Sequence, residues 1–141
     1  MLSITLICVG NLKESYLREA VAEYEKRLTA YASFKTLELK DSSPIMPHLP
    51  PKALKVALCI EGKQMSSEEL ADFIEKKTVS GVSEICFIIG GFSGLPDEVK
   101  NACQVRLSFS KMTFPHQLMR VILLEQIYRA FTIISGGKYH K

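Results

Sequence analysis

ICFIIGGFSGL, running from Ile85 to Leu95, delivers five apolar residues directly into a glycine-rich turn. A short apolar run without polar alternation reads as a strand buried on both faces, the habit of a parallel sheet. The same pattern recurs along the chain. Leu2 to Val9 stops at Gly10, Ala53 to Ile60 stops at Glu61-Gly62-Lys63, and Val105 to Phe109 is a shorter run. Phe34 to Leu39 alternates apolar and polar residues and suits a further strand. Helical patterns fill the gaps between them. Between Glu14 and Tyr31, one stripe carries Leu17, Ala20, Val21, Tyr24 and Leu28, with charges opposite. Ser66 and Glu69 have the spacing of a capping box that opens a helix through about Lys77. Pro96 and Asp97 start a short helix to about Ala102. Thr113 is placed to cap the last long helix, with Pro115 in its first turn. Strands alternating with amphipathic helices predict an α/β fold with a mainly parallel sheet and flanking helices.

The chain has 141 residues and is expected to form a single domain, residues 1–141. Asp41 to Lys52 is the irregular stretch, with Pro44, Pro47, Pro50 and Pro51, and it predicts a surface connection. The N-terminal apolar run has no basic residues before it and reads as a strand, not a signal peptide. Arg120, Glu125 and Arg129 interrupt the last helix, so no membrane span is expected. Cys8, Cys59, Cys86 and Cys103 are widely spaced. They read as reduced, buried thiols in a cytoplasmic protein, with no disulfide and no metal.

Ligands of parallel α/β sheets bind beyond the carboxyl ends of the strands. The segments after Ile60, Ile89 and Phe109 all sit there, so three loops are expected to meet around one pocket. Gly90-Gly91 has neither the G-x-G-x-x-G spacing nor a following Lys-Ser/Thr, which argues against a nucleotide triphosphate. Paired glycines still allow close backbone approach to a ligand, or merely a tight turn. The stretch Phe109 to Phe114, FSKMTF, suits a flat base held between apolar side chains, or simple loop packing. His116 reads more readily as a structural histidine than as a catalytic one.

Charge points to the partner. From Val105 to Lys141 there are six cations against one acid, Glu125, in a chain whose formal net charge is +3. A compact cationic segment favours an anionic partner, and RNA is the economical one. Glu125 and Arg129 can pair at i, i+4. The last helix is apolar on nearly every other side from Leu118 to Phe131. That surplus predicts a homodimer, with Leu124 a candidate interface residue. The terminal Tyr139-His140-Lys141 offers stacking, proton transfer and phosphate contact, although chain ends are usually frayed.

FIIGG-x-x-GL, LSFSKMTFPHQLMRVILLEQIYRAF and the terminal YHK, with EGKQMSSEELA and MLSITLICVGNLK before them, closely resemble one family across most of the chain. It is the bacterial ribosomal RNA large subunit methyltransferase H family, small SPOUT-class enzymes. The resemblance implies a deep C-terminal trefoil knot, S-adenosylmethionine as methyl donor, an obligate homodimer, and methylation of N3 of a pseudouridine in 23S rRNA. It places cofactor binding on Leu58, Gly90, Phe109, Ser110, Lys111, Met112, Thr113 and Phe114. Tyr139 and His140 fall near the target base as catalytic residues, with Arg129, Lys138 and Lys141 as RNA contacts. His140 is the side-chain candidate for the base, and the cations are the alternative as stabilisers of the N3 anion. Relatives carry a longer, helix-forming segment where this chain has only the Pro-rich bridge from Asp41 to Ala53. The rival function is a non-catalytic ribosome-associated RNA-binding protein of the same fold. A dinucleotide-dependent oxidoreductase would need G-x-G-x-x-G where the chain has VGNLKES.

Overall fold

A computed structural model describes residues 1–141. The elements follow in the order β1 (Ser3–Val9), α1 (Ser15–Leu28), β2 (Ser33–Leu39), β3 (Leu54–Gln64), α2 (Ser67–Val79), β4 (Glu84–Ile89), α3 (Asp97–Ala102), β5 (Val105–Ser108) and α4 (His116–Ile134). All neighbouring strands are parallel, in the order β2-β1-β4-β3-β5. β4, the ICFII strand, is central, and Ile85 to Ile89 are all buried. Its unbroken hydrophobicity follows from having a layer on each face.

One layer is thick. Ile4, Leu6, Phe87 and Leu107 point to it and meet Val21 and Leu28 of α1, Leu70 and Ile74 of α2, and Leu123, Leu124, Ile127 and Phe131 of α4. α4 touches both α1 and α2. Because β5 is the edge strand beyond β3, the chain must cross back over the strand ends to bring α4 there. Its N-terminal end is fastened on arrival. Gln117 Oε1 accepts from the Lys13 backbone N–H at 3.0 Å, and the buried Arg120 pairs with Glu38 on β2. Arg120, one of the six cations of the C-terminal segment, is therefore an interior residue, 7% exposed, and does not face a partner.

The other layer is thin and corrects the reading of the Pro-rich stretch. Ile7, Val9, Ala57 and Ile88 are covered by Ile45 and Ala53 from that stretch and by Leu95 and Val99 from α3 and the turn before it. Lys55 holds the segment down, its ammonium donating to the carbonyls of Pro50 and Ala53 at 3.1 and 3.0 Å. The stretch contains one 3-10 turn, Met46–His48, and its prolines stiffen a cover that is only part surface. Leu124 is also corrected. It is 0% exposed within one chain, so it belongs to the core and to no subunit interface.

Two element ends differ from expectation. Thr113 caps nothing, because α4 begins at His116 with Pro115 in the N-cap position and no side-chain cap. β3 does not stop at Ile60 but runs to Gln64 with a break in register. Leu58 and Lys63 both lie opposite Leu107, so Cys59 to Gly62 bulge out between them. Gly62 permits this, since a Cβ there would lie 2.7 Å from the Arg106 carbonyl carbon.

The capping box of α2 forms as the spacing implies. Ser66 Oγ accepts from the Glu69 N–H at 3.0 Å, and Glu69 Oε1 accepts from the Ser66 N–H at 2.8 Å. Ser66→Ala should destabilise the fold by about 1 kcal/mol, seen as a fall of roughly 4 °C in thermal melting. An unchanged melting temperature would mean that water replaces the cap at no cost.

Candidate active site

The three post-strand loops converge. A cavity of about 640 Å³ opens at the carboxyl edge of β3, β4 and β5. Its walls are the β3 bulge, the turn from Ile89 to Leu95, and the segment from Leu107 to His116, with Met119 beneath. That volume lies in the range of small-molecule sites. Of the eight cofactor residues expected from the sequence, all but Lys111 line it. Lys111 is exposed between Ser110 and Met112.

Each wall has a local cause. Ser110 Oγ accepts from the Met112 N–H at 2.9 Å, and Ser108 Oγ donates to the Ser110 carbonyl at 3.0 Å, which fixes the bend after β5. Outside the regular elements no backbone–backbone hydrogen bond involves Phe109 to Phe114. Apart from the Met112 N–H and the Ser110 carbonyl, which the serine side chains occupy, the loop backbone keeps amides and carbonyls that no other backbone group pairs, and such groups want a partner. On the facing turn a Cβ at Gly90 would lie 2.6 Å from the Gly94 carbonyl carbon. The close approach that makes glycine necessary there is to the protein's own backbone. Gly90→Ala should therefore open the turn and weaken, at least about tenfold, binding of the S-adenosylmethionine that the family resemblance implies, with the far-UV spectrum kept. Calorimetry giving unchanged affinity would separate the turn from the ligand.

The titratable groups of the cavity are few. Burial raises the pKa of the Cys59 thiol, with the nearby Glu61 charge adding to it, so Cys59 is no nucleophile near neutrality. The Lys100 ammonium, hydrogen-bonded to Glu61, holds that carboxyl below its ordinary range. The rest of the lining is His116, several serine and threonine hydroxyls, glycines and an apolar set that includes Met112, Met119, Phe109 and Phe114. Such a site suits a flat heteroaromatic group held by its faces, with the loop amides and carbonyls reading its edge. Sequence reasoning placed the loop at Ile60 to Gly62 beside the pocket, and Ile60 and Glu61 do line it, but it did not single out Cys59, Phe92, His116 or Met119 as wall residues. Only Gly62 hinted at the bulge.

The tail is ordered elsewhere. Tyr139 Oη donates to Glu125 Oε2 at 2.8 Å, and its ring meets Tyr128 edge-on at 4.9 Å between centroids. The Arg129 guanidinium lies 4.8 Å from the Tyr139 centroid and pairs with Glu125 at 3.0 Å. His140 sits with Nδ1 3.0 Å from Arg129 and Nε2 2.9 Å from Glu68. Arginine can only donate, so Nδ1 accepts and the network assigns the proton to Nε2. Burial, and then the Glu125 hydrogen bond, push the Tyr139 phenol up to about 12. The tail is thus docked and not frayed. None of Tyr139, His140, Lys138 or Lys141 lines the cavity of its own chain. Lys138 and Lys141 are exposed.

Comparison with known proteins agrees with this architecture. A family profile described as "Predicted SPOUT methyltransferase" matches residues 2–140. Proteins named ribosomal RNA large subunit methyltransferase H are similar over nearly the whole chain. That of Bacillus pumilus is 46% identical over 159 residues, covering 99% of this chain and all of the relative. That of Clostridium novyi is 47% identical with the same coverage. These alignments are longer than the chain's 141 residues, so the relatives carry insertions that it lacks. A probable methyltransferase structure from Bordetella pertussis superposes with a TM-score of 0.64 at 9% identity, covering 90% of this chain and 93% of that one. A probable methylase family protein from Haemophilus influenzae gives 0.62 at 11% identity, covering 98% and 70%. Those two share the fold. From the profile and the full-length relatives, the chain belongs to the SPOUT methyltransferases, in the ribosomal RNA large subunit methyltransferase H family.

Proposed function

We propose that this enzyme transfers a methyl group from S-adenosylmethionine to N3 of a pseudouridine in the 23S rRNA of the large ribosomal subunit. It acts in the cytoplasm as a homodimer of single-domain chains. The observation that carries the reading is the cavity at the carboxyl edge of the sheet. It is walled by Leu58, Gly90 and all of the FSKMTF loop except Lys111, in a chain 46% identical to a protein named ribosomal RNA large subunit methyltransferase H. The return of α4 across the strand ends, between α1 and α2, supports the trefoil knot that the family resemblance implies.

The residues present fit the cofactor. Phe109, Met112, Phe114 and Leu58 supply apolar faces, and the backbone groups of the 109–114 loop left free of other backbone partners supply donors and acceptors for an adenine edge. When bound there, S-adenosylmethionine supplies an electrophilic methyl group on a positively charged sulfur. The chain's task is to align the pyrimidine N3 with that methyl and to help N3 lose its proton.

The tail bears on the second task. In its docked position His140 has no free acceptor nitrogen, since Arg129 occupies Nδ1 and the proton sits on Nε2 facing Glu68. It becomes a base only after Arg129 lets go. Tyr139, with its phenol raised to about 12, acts as a hydrogen-bond donor and not as a base at neutral pH. Arg129, Lys138 and Lys141 are the cations able to stabilise an N3 anion and to meet RNA phosphates. Glu125 lies nine residues beyond His116, about 14 Å along α4, so the tail is remote from its own cavity. The geometry favours a composite site, in which the tail of one copy serves the cavity of the other.

Calorimetry with S-adenosylmethionine should give one site per chain. Incubation with labelled donor and large-subunit particles should label 23S rRNA. Binding of the particle without transfer of label would favour the non-catalytic reading instead.

A further inference from the structure

We propose that Phe92 is a base-stacking residue, seating an unpaired rRNA base beside the target nucleotide at the mouth of the cavity. The inference rests on the methyltransferase reading above and adds to it a specificity residue on the glycine turn.

Phe92 is 100% exposed, the extreme among the large hydrophobic side chains of the chain. It makes no contribution to the core, and leaving a phenyl group in water forfeits the burial that aromatic side chains normally provide. Its presentation is nevertheless fixed. Gly91 and Gly94 form an isolated antiparallel bridge, and the Gly94 N–H donates to the Gly91 carbonyl at 3.0 Å. The turn thus closes on itself and holds Phe92 and Ser93 at its tip. Gly90 and Leu95, on either side, are buried. The ring is therefore carried on a short, braced stem.

Position supplies the second part of the argument. Phe92 is one of the residues lining the cavity, together with Met112 from the FSKMTF loop, which is 74% exposed. Lys111, next to Met112, is exposed and has no salt-bridge partner. A flat exposed ring and a polarisable thioether at one rim, with an unpaired ammonium on the residue next to that thioether, match the needs of a single-stranded nucleotide. The ring takes the face of a base and the ammonium meets a phosphate. Enzymes that act on a base within folded RNA must draw it out of its stack, which leaves a neighbouring base face open. Phe92 replaces that lost neighbour. The cofactor surfaces lie along Leu58, Gly90, Phe109, Met112 and Phe114, so Met112 borders both and Phe92 stands outside them.

The test uses the full-length protein and Phe92→Ala and Phe92→Trp variants, with large-subunit particles as substrate. Phe92→Ala should raise KM for the particle roughly tenfold, the lower part of the range for losing one stacked base. It should leave S-adenosylmethionine affinity, melting temperature and sedimentation unchanged. Phe92→Trp should restore KM. A KM within twofold of wild type in Phe92→Ala would overturn the proposal. So would a shift of that variant towards monomer, which would place Phe92 against a second copy of the chain. If the wild-type protein transfers no methyl to rRNA, the parent reading fails separately. Stacking is then read from equilibrium binding of a single-stranded 23S fragment, where Phe92→Ala must bind more weakly than wild type for the proposal to stand.

Discussion

A variant lacking Tyr139 to Lys141 should lose methyl transfer by at least about 100-fold while keeping its affinity for S-adenosylmethionine. The size follows from the ordinary contribution of a positioned proton-transfer or charge-stabilising group, roughly 10²–10⁴-fold. Cofactor affinity is retained because no tail residue lines the cavity of its own chain and the partner copy's tail is assigned to the target base. Stability should fall slightly. The Tyr139 ring packs edge-on against Tyr128 and its hydroxyl donates to Glu125, contacts at the protein surface worth about 1 kcal/mol. The melting temperature should therefore drop by roughly 4 °C. His140→Ala alone should lower kcat more than it weakens RNA binding. Full turnover in the truncated variant would remove the tail from the mechanism, and loss of cofactor binding would make it structural.

Leu124→Asp should yield no folded protein. Leu124 is fully enclosed, with Leu123 and Ile127 in the same layer. Truncating a buried leucine costs about 2–5 kcal/mol, and an unpaired buried carboxylate adds several more. Together these approach the whole stability of a typical domain, about 5–15 kcal/mol. Leu118→Glu is the informative contrast. Leu118 is 40% exposed, so the chain should fold normally, and sedimentation should show a weakened dimer. A folded Leu124→Asp monomer would contradict the placement of α4 in the core. An unaltered dimer in Leu118→Glu would move the subunit interface away from the start of that helix.

The strands and helices were legible because their burial is simple. Ile85 to Ile89 has a layer on both faces, and its sequence contains nothing else. The Ser66–Glu69 box is a purely local interaction, and it forms as its spacing implies. Non-local effects were illegible. The bulge at Cys59 to Gly62 exists because β5 pairs with both ends of it, and no local pattern in β3 records that. Arg120 reads as a surface cation on a helix, yet its partner Glu38 is far away in sequence. The apolar face of α4 reads as surplus for one sheet face, because nothing local reveals that α1 and α2 flank it. Proline spacing marks residues 41–52 as irregular, but gives no sign that Ile45 plugs the second face of the sheet. The tail's composition suggests fraying. Its order comes from Glu125, Arg129 and Glu68, which two different helices supply.

Mass mapping of 23S rRNA from cells with and without this protein tests the central claim most directly. Cells that contain the protein should carry one additional methyl group, on a pseudouridine base at N3, which returns when the intact chain is resupplied but not the chain lacking Tyr139 to Lys141. Identical 23S rRNA modification in both cell populations would contradict that claim.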